Sequence, residues 1–329
     1  MQLRAEAVGY LKAGLQYAAN PAVRIEAVEG LRAIADERTL PWLRTALLDE
    51  HAAVRFAACL ALGELRDAGS AEALRKAMSD ANDNVRIAAT FARHRLGHAE
   101  STGKLATYLL HGKDPSVRRN AAMALGRLGE VGAVKVLARA VKDSDAGVRH
   151  QALEALARLG NSDARQELAF MTNAGVGSDE VFALNALADL HDRTLTDTFR
   201  YKLATAVHLE TKLAAARGLG LLGDASGLDL ALRALRTNQA RVNDPDDPPE
   251  GQVLRTRQLA AAALGAIGRR DALGSLAAEM RNSSDPRIQV SGAKAVLEIL
   301  DTPLDPFTKP TTRDEAWPGD LGQSRGWDR

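Results

Sequence analysis

The chain has 329 residues, with 43 Lys and Arg against 42 Asp and Glu, so its formal net charge at pH 7 is only +1. This balance excludes a global field that would attract nucleic acid or an acidic membrane, and any electrostatic recognition must be local. Hydrophobic residues make up 46% of the sequence but aromatic residues only 4%, which favours close-packed helices rich in Ala, Leu and Val over one thick core.

A repeated segment runs along the chain from its N-terminus. VRIEAVEGLRAIAD at Val23 recurs at Val54, Val85, Val117 and Val148, and weaker copies begin at Asp179, Thr211, Thr256 and Ile288. The first residue of each copy is called its anchor below. Apolar or small residues at positions one, five, nine and twelve of a copy form one stripe of an α-helix. A second amphipathic segment precedes each copy, so each unit is predicted to be a helix, a turn and a helix.

The spacing of the copies predicts nine units within residues 1–301, which stack into a curved all-α ribbon. Their predicted boundaries lie near 1–36, 37–67, 68–98, 99–130, 131–161, 162–192, 193–224, 225–269 and 270–301. The step from Thr211 to Thr256 is longer than the others and predicts an inserted loop near 239–252. Residues 302–329 are rich in Pro and Gly and form a C-terminal tail, which is either a cap on the last unit or a partner-binding motif.

The segment DPSVRRNAAMALGRLG, from Asp114 to Gly129, resembles HEAT repeats, specifically the short type found in phycobilisome-lyase-like proteins. The resemblance covers roughly residues 1–301 and implies a right-handed α-α superhelix. It also implies a ladder of turn carboxylates and arginines between neighbouring units, with a structural role. The implied rungs are Arg24, Arg55, Arg86, Arg118 and Arg149, with Asp49, Asp80, Asp114, Asp143 and Asp145 as their partners.

Motifs for chemistry are absent from the sequence or out of context. GLGLLG at Gly218 to Gly223 matches a dinucleotide-binding pattern by letter, but it lies inside a predicted helix instead of opening one. No His-Glu dipeptide occurs, although HEAT-type di-iron hydroxylases bind metal through such pairs. The single cysteine, Cys59, falls in the packed stripe. We therefore expect no catalytic residue, no metal site and no cofactor.

The second helix of each unit is expected to line the concave side of the superhelix. Six residues after the anchor, units two to four place Leu60, Phe91 and Met123, and ten residues after it units three to five place Arg95, Arg127 and Arg158. An exposed apolar row beside arginines has the composition of a protein-interaction surface. The alternative is that the apolar side chains pack between helices and the arginines only solvate helix ends.

These features predict a non-catalytic scaffold or adaptor that binds a partner protein or peptide in its concave groove. Alternatives are nucleic-acid binding through the groove arginines, a bilin-lyase-like activity or a chaperone subunit. No apolar stretch is long enough to span a membrane, and a monomeric cytoplasmic protein is expected, with a mature exported form left open.

Overall fold

The computed structural model describes residues 2–98, 103–240 and 247–302. In these ranges the regular elements are helices, and eighteen α-helices follow one another as nine antiparallel pairs. The pairs are α1 (Gln2–Leu15) with α2 (Pro21–Ile34), α3 (Leu40–Ala46) with α4 (Ala52–Glu64), α5 (Ala71–Ala77) with α6 (Asp83–Arg95), α7 (Gly103–His111) with α8 (Pro115–Leu128), α9 (Val134–Ala140) with α10 (Ala146–Arg158), α11 (Ser162–Met171) with α12 (Gly177–Ala188), α13 (Thr196–Thr205) with α14 (Leu209–Leu221), α15 (Leu228–Leu235) with α16 (Pro249–Ile267), and α17 (Leu273–Asn282) with α18 (Pro286–Asp301). The prediction of an all-α helical-repeat solenoid is confirmed.

Two predicted irregular segments differ from the repeat. Of the tail, residues 303–329 lie outside the described residues, as do residues 241–246 of the inserted loop. The end of that loop was predicted wrongly, because residues 249–252 form the first turn of α16. Pro249 at the first helical position explains this start, since proline has no backbone N–H to satisfy and its φ is already helical.

The even-numbered helices form an inner layer, and the odd-numbered helices pack on their outer side. Each even-numbered helix contacts the preceding odd-numbered one and, in most units, the next even-numbered one. The anchor valines Val23, Val54, Val85 and Val148 are completely buried between them. Six inner helices begin at a polar residue three positions before the anchor, whose side chain accepts a backbone N–H and caps the helix. These residues are Asn20, His51, Asn82, Asp114, Asp145 and Asp285.

The ninth hairpin packs against the first, so the solenoid closes into a ring. Helix α18 contacts both α1 and α2. Across this seam the guanidinium of Arg281 donates from Nε and Nη2 to the Glu6 carboxylate at 2.6 Å each, and Arg4 pairs with Asp301. The sequence predicted curvature but not closure, because the residues that meet here are separated by nearly the whole chain.

Glu26 joins three helices at the seam. Its carboxylate on α2 accepts hydrogen bonds from Gln258 Nε2 of α16, at 2.9 Å, and from the Ser291 hydroxyl of α18. Burial raises the pKa of the Glu26 carboxyl, and the bond from Ser291 acts in the opposite direction. The two donors compensate part of the cost of removing this group from water.

Close contact between inner helices is made possible by glycines nine residues after the anchor. A Cβ atom on Gly63 would lie 2.5 Å from the Ala92 Cα, and one on Gly126 would lie 2.7 Å from the Ala155 Cα. Gly220, in the dinucleotide-like motif, lies equally close to the backbone of Ile267. Gly218 and Gly220 of that motif therefore serve helix packing. The contacts at Gly63, Gly126 and Gly220 bring neighbouring inner helices close together.

We predict that Gly14→Leu opens the ring. Gly14 is in α1 at the seam, where an added Cβ would lie 2.8 Å from the Val290 Cγ2 and 3.1 Å from the Ala27 Cβ. Overpacking of this kind costs about 1–3 kcal/mol. Small-angle X-ray scattering should show a larger maximum dimension, and the melting temperature should fall.

The matched control is Gly9→Leu in the same helix, because no neighbouring atom lies within 4 Å of a Cβ built there. It should keep the wild-type scattering profile and, owing to the better helix propensity of leucine, an equal or higher melting temperature. An unchanged scattering profile for Gly14→Leu would contradict the role assigned to the seam.

Candidate functional site

The inner face does not present the apolar row that the sequence predicted. Phe91 is 1% exposed and Leu60 is 9% exposed, while Met123 is half-buried and packs against the core. The expectation of an exposed row was therefore wrong. The physical reason is that neighbouring inner helices approach closely. They cover most of the side chain at the sixth position after the anchor in these units.

Two of the three predicted groove arginines are paired within the protein. Arg158 donates from Nη2 to Glu154 and to Asp189, at 3.1 Å each, and its side chain is only 12% exposed. Arg127 donates from Nη1 to Glu64 at 2.7 Å. Because α6 lies between α4 and α8, the Glu64–Arg127 pair passes the C-terminal end of α6.

Further charges make the inner face a nearly compensated network. Glu64 also accepts from Arg32 Nη1 at 2.8 Å, and Asp189 accepts from Arg217 Nη2 at 2.8 Å. Burial raises the pKa of the Glu298 carboxyl, although Lys294, Arg217 and Arg32 act in the opposite direction. Opposite charges from adjacent units thus meet on the inner face, and Glu64 with Arg127 joins two alternate units.

Arg95 differs from the other two arginines. It ends α6 and is half-buried, and its Nε is shielded from solvent without a hydrogen-bond partner. In the described ranges no ion pair involves its guanidinium. Leaving such a donor unsatisfied costs about 1–3 kcal/mol. Arg95 is therefore an inner-face cation without a paired carboxylate among the described residues.

The ladder between units is present in three of the five predicted rungs. Arg24 contacts Asp49, Arg55 contacts Asp80 and Arg118 contacts Asp143 through paired Nε and Nη2 hydrogen bonds of 2.8–2.9 Å. In each rung the Nη1 of the arginine donates to two backbone carbonyls of its own hairpin turn. One side chain thus closes a turn and joins two hairpins.

The remaining predicted rungs need correction. Asp114 and Asp145 are not rungs but helix N-caps, which accept from the backbone N–H of Ser116 at 2.7 Å and Val148 at 2.9 Å. They lie three residues before the anchor, whereas the true rung aspartates lie five before it. The carboxylate expected for Arg86 is replaced by the hydroxyl of Tyr108, which accepts from Arg86 Nε at 3.0 Å.

Arg149 is the rung that lacks an acidic partner in the described residues. Its Nη1 donates to the carbonyls of Asp143 and Ser144, at 2.9 Å each, and Ala174 occupies the position where the aspartate would be. At this junction α11 packs against both α10 and α12. The anchor of the sixth unit is Asp179, which is only half-buried where other units bury valine.

Two rungs escaped the sequence analysis. In the eighth unit Arg257 pairs with Glu279, and in the sixth unit the charges are reversed, with Glu180 3.5 Å from Lys202. In both pairs the second residue follows the first by 22 positions, as in Arg86 and Tyr108, instead of by 25. The three-residue difference is about one helical turn, so a search at both spacings would have found them.

No group of three or more His, Cys, Asp or Glu side chains in the described ranges is arranged to hold a metal ion. Cys59 is completely buried, and burial raises the pKa of its thiol to about 12. The thiolate is the reactive form of cysteine, and it is therefore scarce at neutral pH. None of the described helices combines the length and apolarity that crossing a membrane requires.

Comparisons with known proteins concern the repeat and the fold. Residues 10–92 and 103–180 match the family model described as HEAT repeats. Human deoxyhypusine hydroxylase in complex with glycerol is 18% identical, with a TM-score of 0.41, over 80% of this chain and 96% of that one. The complex of CpcE and CpcF of phycocyanin lyase from Nostoc is 19% identical, with a TM-score of 0.45, over 77% and 93%. A search of the curated proteins found no match.

We expect Asp143→Asn to lower the melting temperature at pH 6, with an effect that decreases as the pH falls below 3.8. The hydrogen bonds from Arg118 hold the pKa of the Asp143 carboxyl below its ordinary value of 3.8. A carboxyl with a lowered folded-state pKa stabilises the fold above the unfolded-state pKa, and this stability is lost as the pH falls through the folded-state value. At pH 6 the substitution should lower the free energy of unfolding by about 1.5–3 kcal/mol, which thermal unfolding would measure.

Glu72→Gln is the control for the Asp143→Asn substitution. Glu72 and Arg75 form an ion pair within α5 whose side chains are 63% and 60% exposed, and such pairs contribute little. Equal effects of the two substitutions at pH 6 would show that the ladder adds no particular stability.

A missing rung can be supplied at the sixth unit. Ala174→Asp places a carboxylate five residues before the anchor, where Arg149 can reach it, and we expect it to stabilise the ring by about 1 kcal/mol. The same substitution in an Arg149→Ala background should not raise the melting temperature. A similar rise in melting temperature in both backgrounds would mean that the introduced carboxylate acts without the arginine.

Proposed function

We propose that this chain, as a HEAT-repeat protein, is a non-catalytic scaffold. In this proposal it binds an acidic segment of a partner protein on the inner face of its ring. The observation that carries the proposal is the half-buried guanidinium of Arg95, whose Nε has no hydrogen-bond partner among the described residues. A partner carboxylate would supply the opposite charge that this half-buried guanidinium lacks.

The surroundings of Arg95 are locally positive. Arg32 and Arg127 both pair with the one carboxylate of Glu64, and Arg95 lies between the hairpins that carry Glu64 and Arg127. Two guanidinium groups therefore share one acidic side chain, and no described carboxylate pairs with the third, that of Arg95. An incoming carboxylate would reduce this imbalance, and the partly exposed Arg127 side chain offers a second set of donors.

Size and charge favour a polypeptide over nucleic acid. Nine inner helices spaced by about 8–10 Å enclose an opening roughly 15 Å across once their side chains are counted. This width admits an extended segment or one helix but not a DNA duplex. The inner face also carries Glu64, Glu154, Asp189 and Glu298, which would repel a continuous phosphate backbone.

A lyase-like role finds less support in the residues. A bilin-handling enzyme of the resembling type would need a reactive group near the chromophore, and the one cysteine is completely buried, with a raised thiol pKa. Burial also raises the carboxyl pKa values of Glu26 and Glu298, but the Glu26 carboxyl is bonded to Ser291 and Gln258 and that of Glu298 lies against the backbone at Gly265.

The proposal predicts that Arg95→Glu weakens binding of an acidic amphipathic peptide of about twenty residues by roughly tenfold or more. The loss corresponds to one charge-assisted hydrogen bond and the added repulsion. Fluorescence anisotropy with a labelled peptide would measure the Kd, and a peptide with the acidic residues replaced by glutamine should bind weakly to both proteins.

Arg139→Glu is the matched control, because Arg139 is an exposed arginine of the outer helix α9. It should leave the Kd unchanged. If Arg95→Glu binds the acidic peptide as tightly as the wild type, the inner-face site is refuted. Tight binding of a labelled single-stranded oligonucleotide with steep salt dependence, without peptide binding, would support the nucleic-acid alternative instead.

A further inference from the structure

Exposed apolar side chains are concentrated at one sector of the ring. Of the large apolar residues with high exposure in the described ranges, four belong to the sixth and seventh hairpins. Their exposed fractions are 64% for Phe170, 52% for Val176, 59% for Tyr201 and 86% for Val207. We name these four residues the rim patch. Single exposed apolar residues need no explanation, but a local group of this kind marks an interaction surface.

The rim patch coincides with a loss of helix capping. Six inner helices begin at polar side chains that cap them, and α16 begins after Pro248. In contrast, α12 begins after Val176, which cannot cap, and α14 begins after His208, whose side chain makes no capping bond. Replacing a capping Asp or Asn with valine costs about 1 kcal/mol. Because Val176 is not buried in return, packing within this chain does not compensate for the loss.

The turns that carry the patch are also uncharged. Residues 172–178 and 203–208 contain no Asp, Glu, Lys or Arg, whereas the corresponding turns of units two to five contain Asp49, Asp80, Lys113 and Asp143. A charged partner would find no complementary field at this surface. A partner that fits it is itself apolar and uncharged where the two surfaces meet.

The arrangement of the patch indicates what that partner is. Phe170 and Tyr201 each lie two residues after an equivalent buried residue, Leu168 and Phe199, so they occupy the same position in adjacent outer helices. Val176 and Val207 lie in the turns of the same two hairpins. A twofold axis between the hairpins would place Phe170 against Tyr201, and Val176 against Val207, of a second copy. Such self-complementarity is what an isologous interface requires.

We infer that the rim patch is a homodimer interface in which the sixth hairpin of one copy packs against the seventh hairpin of the other. The flanking charges are compatible with this pairing, because Asp179 of one hairpin and Lys212 of the other have opposite signs. The four side chains expose on the order of 400–500 Å² per copy, about half of a standard interface side of roughly 800 Å². A dimer of this size is expected to be weak and reversible, in equilibrium with the monomer expected from the sequence.

Sedimentation velocity of the full chain, from about 1 to 500 μM, tests the inference, with a Kd in the micromolar range expected. Val176→Lys and Val207→Asp should each raise the dimer Kd at least tenfold, since each buries an unpaired charge at the contact. Circular dichroism should remain unchanged, because both residues are exposed. Val131→Lys is the control: Val131 is 75% exposed but lies outside the patch, and its Kd should equal that of the wild type.

The double variant Val176→Lys with Val207→Asp decides the geometry. In the proposed dimer each lysine faces the partner's aspartate, so the double variant should dimerise more tightly than either single variant. If the double variant is weaker than both, the twofold pairing is refuted, because like residues then face each other. A wild-type chain that stays monomeric over the whole concentration range would overturn the inference, and this outcome would leave the inner-face proposal unaffected.

Discussion

The close contact between successive inner helices is the constraint on which the rest of the structure depends. Glycines nine residues after the anchor let the backbones of neighbouring helices meet, as at Gly63 with Ala92 and Gly126 with Ala155. The ninth hairpin packs against the first and closes the ring. A side chain at any of these glycines would push two hairpins apart, and the accumulated change in angle would leave the ends unable to join.

Closure changes how stability is distributed. In an open solenoid each repeat depends on its neighbours, and the terminal repeats need polar caps for solubility. In this ring the apolar faces of α1 and α18 cover each other, so the described hairpins need no separate cap. The arginine ladder reinforces most junctions, but between the fifth and sixth units Arg149 finds only carbonyls and Asp179 replaces an anchor valine. The departures from the repeat therefore begin at the sixth unit and continue into the rim patch.

The two candidate surfaces rest on different physics and lie on different parts of the ring. The inner face is a compensated charge network with a local excess of guanidinium around Arg95. The rim patch is apolar, uncharged and uncapped. A ring that dimerises through its rim would leave its opening free, so the two surfaces are compatible in one molecule.

The sequence by itself determined the repeat and the helix pairs, because these depend on contacts within a unit or between adjacent units at a constant spacing. The resemblance to HEAT repeats implied the arginine ladder, of which three rungs are regular. The sequence did not separate the rung aspartates from the capping aspartates Asp114 and Asp145, which lie only two residues further along the chain. Tertiary structure alone decided the closure, the burial of Phe91 and Leu60, and the pairing of Arg127 with Glu64. These depend on the angle between successive hairpins. The repeat pattern shows where helices approach closely but not the value of this angle, and small differences in the angle become decisive when they are added over nine hairpins.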